Sequence, residues 1–235
     1  MNRKNRILIV EDEEPIRRGL CDVFIYHGYD VESATTGTEG LQRAKEGGFD
    51  LIVLDVMLPG IDGYTICNEI RAIDREQPII MLTAKSSDED IIQGLTLGAD
   101  DYISKPFSVQ QLVLRVEAVL RRSQRLRREQ TTLQVGSMLT IDTRTLIGTR
   151  KDSTGATVAF TRKELEILEH LLKHHERPVS RGELLEEVWG YRRTADLDTR
   201  TVDIHIAKLR RKIESDPKEP TLLVTVRGEG YQLLI

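Results

Sequence analysis

The chain has 235 residues, 39% of them hydrophobic and 31% charged, with two cysteines and a formal net charge of −4. That composition supplies one large or two ordinary hydrophobic cores, and it excludes low-complexity and disulfide-stapled classes. No apolar run approaches the ~18–20 residues that cross a bilayer, so no membrane partner is expected.

The N-terminus, Met1-Asn-Arg-Lys-Asn-Arg6, leads into only four aliphatic residues and then a run of acids. It reads as no signal peptide, and the expected location is cytoplasmic. Short β-rich runs follow at 7–10, 29–31, 51–54, 79–82 and 102–103, with amphipathic segments at 14–27, 37–46, 63–74, 87–97 and 108–122. Five strand–helix units in about 120 residues imply a parallel, doubly wound, flavodoxin-like sheet with helices on both faces. The continuous aliphatic runs fit strands buried on both sides. Ser86-Ser-Asp-Glu89 and Ser108-Val-Gln-Gln111 have capping-box spacing. Cys21 and Cys67 fall inside helical patterns without metal-ligand spacing and read as reduced core thiols.

Charge divides the chain as the pattern does. Residues 1–122 carry 14 basic and 21 acidic side chains, and the remainder 20 basic and 17 acidic. A first domain over 1–122, a polar linker over 123–132 and a second domain over 133–235 are expected, the basic half suiting a polyanion.

Within the first half, strand ends carry the chemistry. Val10 is followed by Glu11 and Asp12, and Leu51-Ile-Val-Leu54 ends in Asp55. Ligands of open α/β sheets bind outside the carboxyl ends of strands, at the point where winding reverses. If the first and third strands are neighbours there, three carboxylates converge and repel unless a cation offsets them. Hard oxygen donors with an incomplete shell suit Mg²⁺. The fourth strand ends at Thr83, a hydroxyl donor, and the fifth leads to Lys105-Pro106, a bond type for which cis is accessible. Acid, metal, hydroxyl and ammonium together describe a carboxylate that accepts a phosphoryl group.

The stretches Val10-Glu-Asp-Glu13, Asp55-Val-Met-Leu-Pro-Gly-Ile-Asp-Gly63, Leu82-Thr-Ala84 and Gly98-Ala-Asp-Asp-Tyr-Ile-Ser-Lys-Pro-Phe107 resemble a response-regulator receiver domain. The resemblance covers the whole first half. It implies that Asp55 takes a phosphoryl group from a histidine kinase in a Mg²⁺-dependent transfer. It makes Asp12 and Asp55 metal ligands, with Glu11 helping directly or through water and the Met57 carbonyl completing the protein ligands. Lys105 would pair with the phosphoryl oxygens, Thr83 would move towards them and Tyr102 would turn inward. These last two couple the site to the surface formed by 87–97, the fifth strand and 108–122.

In the basic half, Thr161-Arg-Lys-Glu164 and Ser180-Arg-Gly-Glu183 are capping boxes that open two helices. A third helix is expected over 199–214. At 100° per residue, Val202, Ile206, Leu209 and Ile213 form its core face, and Thr201, His205, Lys208 and Lys212 a polar stripe beside it. Arg200 and Arg211 lie further round. Such a helix, with the polar stripe outward, can enter a major groove of double-stranded DNA. Val224-Thr-Val-Arg-Gly-Glu-Gly-Tyr231 reads as a hairpin with Arg227 near its tip. His170, His174 and His175 lie on a different helix from His205, and no zinc site is expected.

Together with Leu184-Leu-Glu-Glu-Val-Trp-Gly190, these stretches resemble the winged-helix effector domain of the OmpR/PhoB class. The resemblance assigns 199–214 as recognition helix, Arg227 as a minor-groove contact and 191–197 as a loop able to touch RNA polymerase. It also implies a phosphorylation-dependent homodimer through charged pairs on the receiver, for which Asp100, Asp101, Arg115 and Arg122 fit. At two positions where a basic residue and its acidic partner are common, this chain has Ile91 and Gln111, which implies a weaker or more apolar dimer. The expected function is a phosphorylation-activated transcription factor rather than an enzyme. A phosphoaspartyl hydrolase would carry a second carboxylate at position 57, where this chain has Met. A regulator indifferent to phosphorylation would keep the fold and is the alternative.

Overall fold

The computed structural model describes residues 3–83, 97–125, 132–137, 139–151, 155–190 and 199–235, with backbone alone at 121–125 and 200. Two compact units divide the chain, Met1–Arg125 and Leu126–Ile235. Residues 87–96 of the expected helix at 87–97, its Ser86 cap, Ile91 and residues 191–197 lie outside the described residues, as do the side chains of Arg122 and Arg200.

In the first unit the strands are β1 (Arg6–Val10), β2 (Asp30–Ala34), β3 (Leu51–Asp55), β4 (Ile79–Thr83) and β5 (Asp101–Ser104), all parallel in the order β2-β1-β3-β4-β5. The expected doubly wound sheet is therefore present. The helices are α1 (Glu14–Tyr26), α2 (Gly37–Glu46), α3 (Gly63–Ile73) and α4 (Val109–Arg125). Strand alternation sorts the core. Ile7, Ile9, Leu51, Val53, Ile80 and Leu82 pack with Leu20 and Phe24 of α1 and with Leu112, Val116 and Val119 of α4. The intervening residues Leu8, Ile52, Leu54 and Met81 point to the other face and are fully buried there. Burying each such side chain favours the fold by roughly 1.5–3 kcal/mol. Winding reverses between β1 and β3, so the carboxyl ends of these two strands open onto one crevice.

The second unit begins with an antiparallel sheet of β6 (Thr132–Val135), β7 (Leu139–Asp142), β8 (Ile147–Arg150) and β9 (Thr157–Ala159). Helices α5 (Arg162–Lys173), α6 (Arg181–Trp189) and α7 (Arg200–Ile213) follow, then the hairpin β10 (Leu223–Val226) and β11 (Gly230–Leu233). Thr161 caps α5 with a complete capping box: its hydroxyl accepts from the Glu164 N–H, and the Glu164 carboxylate accepts from the Thr161 N–H. Phe160, Leu165, Leu168, Trp189, Val202, Ile206, Leu209 and Tyr231 form one core beneath these elements. Val179, between α5 and α6, exchanges two backbone hydrogen bonds with Tyr231 at 2.8 and 2.9 Å. Gly230 has φ 137°, and a Cβ there would fall 2.0 Å from the Val179 carbonyl oxygen. Glycine is thus what lets the hairpin close onto that connection.

Candidate functional site

The β1–β3 crevice holds the acids that end those strands. Asp55 is the last residue of β3 and is 2% exposed; Glu11 follows β1 and is fully buried, whereas Asp12 is exposed. One carboxylate oxygen from each of Glu11, Asp12 and Asp55 lies within 4.8 Å of the others. Lys105 enters from beyond β5 through a cis Lys105–Pro106 bond. Its Nζ lies 3.0 Å from Asp55 Oδ2, 2.9 Å from Glu11 Oε2 and 3.4 Å from Glu13 Oε1. Thr83, at the end of β4, is fully buried, and its carbonyl accepts from the Lys105 N–H at 2.6 Å. The Met57 N–H donates to Asp55 Oδ1 at 3.4 Å, while the Met57 side chain is 54% exposed.

The loop after β3 is held tightly around Asp55. Gly63 opens α3 with its N–H bonded to the Val56 carbonyl at 3.0 Å. A Cβ at Gly63 would lie 2.2 Å from the Asp55 carbonyl oxygen. Asp62 caps the same helix by accepting from the Thr65 N–H at 2.7 Å.

Two buried carboxylates therefore share one ammonium. Burial raises the Asp55 carboxyl above its ordinary range, and Lys105 opposes that only in part. Glu11 rises to about 7, mainly by burial, with Lys105 pulling it down and the Asp55 charge pushing it up. Burial would lower Lys105, but its bonds to Glu11 and Asp55 outweigh this and raise it. Glu11 Oε2 lies 2.9 Å from the ammonium yet has no well-directed hydrogen bond among the described residues. A crevice with surplus negative charge and an unbonded buried carboxylate oxygen fits a small hard cation.

In the second unit, the expected outward stripe of α7 is a correction. Thr201, His205 and Lys208 are 7%, 0% and 6% exposed and cannot present their side chains to a groove. Lys208 and Lys212 turn instead to Glu164 of α5, at 3.4 and 2.5 Å, and Lys212 also lies over the Phe160 ring. Glu164 is fully buried; burial alone would raise its carboxyl, but the two ammoniums hold it below its ordinary value. His205 packs edge-on against Trp189, with ring centroids 5.2 Å apart, and its Nδ1 donates to the Thr201 carbonyl at 2.9 Å. The reason is electrostatic: a buried carboxylate on α5 requires counter-charges, and α7 supplies them. The side of α7 that faces outward runs through Ile204, Ala207 and Arg211, of which Ala207 and Arg211 are exposed. Arg227 is exposed at the hairpin turn, as expected.

Residues 7–117 match the response regulator receiver domain, and residues 155–233 match the C-terminal domain of transcriptional regulatory proteins. The probable transcriptional regulator ycf27 of Guillardia theta is 42% identical over 235 residues, spanning 98% of this chain and 91% of that protein. The sensory transduction protein RegX3 of Mycobacterium bovis is 39% identical over 231 residues, spanning 97% and 98%. A solved structure of the response regulator DrrB, a Thermotoga maritima OmpR/PhoB homolog, matches with a TM-score of 0.52 at 32% identity. That match covers 98% of this chain and 99% of the other. The chain belongs to the OmpR/PhoB class of response regulators. It is a transcriptional regulator with a receiver followed by a DNA-binding domain.

In this response regulator, two of the acids expected at the dimer surface are held inside the receiver. Asp100 is buried, accepts from Arg71 Nη2 and the Ile79 N–H at 2.9 Å each, and is corrected to a structural role. Arg71 also donates to the carbonyls of Gly98 and Gln77, at 2.8 and 2.5 Å. Asp101 is fully buried and pairs with Arg115 of its own chain at 2.9 Å, a second correction. Gln111 is exposed on α4. Tyr102 is inward at 6% exposure, its hydroxyl 3.3 Å from that of Tyr64. Sequence reasoning missed Tyr64, Arg71 and Glu13, and read Glu164 as a capping residue without its pairing to Lys208 and Lys212. For Glu13 a signal existed, since it extends the Glu11-Asp12 pair by one acid.

No helix among the described residues is long and apolar enough to cross a membrane.

Proposed function

We propose that Asp55 is the phosphoacceptor of a switch that controls DNA binding, and that the protein is not itself an enzyme. The observation that carries this is the buried Asp55 carboxylate, 3.0 Å from Lys105 Nζ and grouped with Glu11 and Asp12. A sensor histidine kinase would be the donor. The Asp55 carboxylate attacks phosphorus, an O–P bond forms, and the P–N bond to the kinase imidazole breaks. Glu11, Asp12 and Asp55, with the Met57 carbonyl, would hold Mg²⁺, which when bound neutralises charge on the transferring group. Lys105 holds a positive charge beside the reacting oxygen, and the rigid end of β3 keeps the carboxylate in place. Thr83 and Tyr102 would relay the change to the surface formed by residues 87–97, β5 and α4, where phosphorylated chains would dimerise. Dimerisation raises the effective concentration of two DNA-binding units on adjacent half-sites of promoter DNA. Residues 191–197 would supply a contact to RNA polymerase, as the resemblance to the OmpR/PhoB class implies.

On the DNA side, the corrected geometry favours Ile204, Ala207 and Arg211 with Arg227 as the reading surface, and Arg200 lies on the same arc by helical position. The test is a genome-wide footprint of the wild type and Asp55→Asn, each with and without the cognate kinase. Wild-type occupancy is expected to rise with the kinase and Asp55→Asn occupancy to stay low. Equal occupancy in both proteins, unchanged by the kinase, would overturn the switch and favour the phosphorylation-independent reading; an equal kinase response in both would overturn Asp55 as its acceptor.

A further inference from the structure

His170 lies in the last turn of α5 and His174, four residues on, is the residue that caps its C-terminus; their ring centroids are 4.7 Å apart. Glu183 lies opposite, in the first turn of α6. The Ser180–Glu183 spacing predicts a reciprocal capping box, yet only half of it forms. The Ser180 hydroxyl accepts from the Glu183 N–H at 3.0 Å. The Glu183 carboxylate instead turns to His170 Nε2, 3.1 Å away, and to Arg177 Nη1 and Nη2, each at 2.8 Å. One donor atom from each of His170, His174 and Glu183 lies within 4.8 Å of the other two, and all three residues are half-buried.

We propose that His170, His174 and Glu183 form a binding site for a divalent transition-metal ion, clipping α5 to α6 in the DNA-binding unit. Bonds of ~2.0–2.2 Å from imidazole nitrogen and carboxylate oxygen to a tetrahedral Zn²⁺ place ligand atoms about 3.3–3.5 Å apart. His170 Nε2 and Glu183 Oε1, 3.1 Å apart, already stand at about that spacing, and the His174 donor lies within 4.8 Å of both residues' donor atoms. Two imidazoles select Zn²⁺, Ni²⁺ or Cu²⁺ over the hard Mg²⁺ suited to the acidic crevice. A positive nitrogen already stands among the donors: Arg177 Nη2 is 2.8 Å from Glu183 Oε1 and 3.5 Å from His174 Nδ1. Arg177 is exposed on the turn between the helices, so its guanidinium can withdraw from Oε1 and keep its bond to Oε2. The fourth position is left to water. The ion would tie α5 to the start of α6, next to the Val179–Tyr231 pairing that anchors the hairpin.

The test is calorimetric titration of ZnCl₂ into the full-length, chelator-stripped protein in saturating Mg²⁺. One Zn²⁺ per chain is expected. His170→Ala, His174→Ala and Glu183→Gln each weaken binding roughly tenfold or more. His175→Ala leaves it unchanged, and Arg177→Ala, which removes the competing cation, leaves it unchanged or tighter. Far-ultraviolet circular dichroism identifies any variant that fails to fold. Absence of Zn²⁺ binding by the wild type would overturn the proposal. So would binding that survives in the folded His170→Ala and His174→Ala variants, or that is lost in Arg177→Ala.

Discussion

His205 sits where an imidazolium is least tolerated. It is fully enclosed, its Nδ1–H is used by the Thr201 carbonyl, and its Nε2 has no hydrogen-bond partner among the described residues. Burial first, and then the Lys208 charge, pushes its pKa down to about 3. Because the folded value lies below the ordinary 6.5, the unfolded chain binds the proton more readily between those limits. The neutral ring's contribution is therefore complete above about pH 6.5 and is lost as pH falls towards 3. The slope approaches ~1.4 kcal/mol per pH unit within that window. Urea denaturation of wild type and His205→Phe from pH 7.5 to 5 is expected to show a smaller acid loss in the variant. Parallel curves would contradict this placement of His205. At the residue scale, strand-end acids were legible because a carboxylate after an aliphatic run is conspicuous. The inward turn of His205 and Lys208 was not. A helical wheel ranks arcs by polarity, and here a polar arc is buried because Glu164, far away in sequence, needs its charges.

At the scale of elements, α7 separates two kinds of basic residue. Arg211 lies on the outward side, whereas Lys208 neutralises buried Glu164. Arg211→Ala is expected to weaken DNA binding roughly tenfold with little change in stability. Lys208→Ala is expected to cost about 3 kcal/mol of stability, by stranding part of a buried charge. Fluorescence anisotropy on DNA and urea denaturation on the same pair check this, and a reversed pattern would restore the original stripe. Gly63 constrains another element. Adding a methyl 2.2 Å from the Asp55 carbonyl oxygen forces the β3–α3 loop to shift, and Gly63→Ala is expected to cost roughly 1–3 kcal/mol. Denaturation that matches the wild type would contradict the tight loop. The five parallel strands were legible because strands buried on both faces read as unbroken aliphatic runs. The β6–β9 sheet gave no comparable signal. Its strands are three or four residues long and alternate between buried and more exposed positions, too few for a period to declare itself.

For the whole molecule, an acidic receiver half precedes a basic DNA-binding half, and in the proposed switch dimerisation is how the first would act on the second. Asp100 and Asp101 are engaged inside the receiver, and Gln111 offers no charge at its exposed position. A phosphorylated dimer with fewer ionic contacts is therefore expected. Sedimentation with beryllofluoride and Mg²⁺ should show weaker association for the wild type than for an Ile91→Arg/Gln111→Glu variant, and equal association would contradict this. The claim beneath it is that Asp55 is the acceptor. Intact-mass spectrometry after incubation with a small-molecule phosphodonor and Mg²⁺ measures that directly. The account predicts one hydroxylamine-labile phosphoryl group on the wild type, none on Asp55→Asn and none when Mg²⁺ is chelated. Equal labelling of Asp55→Asn and wild type would contradict it.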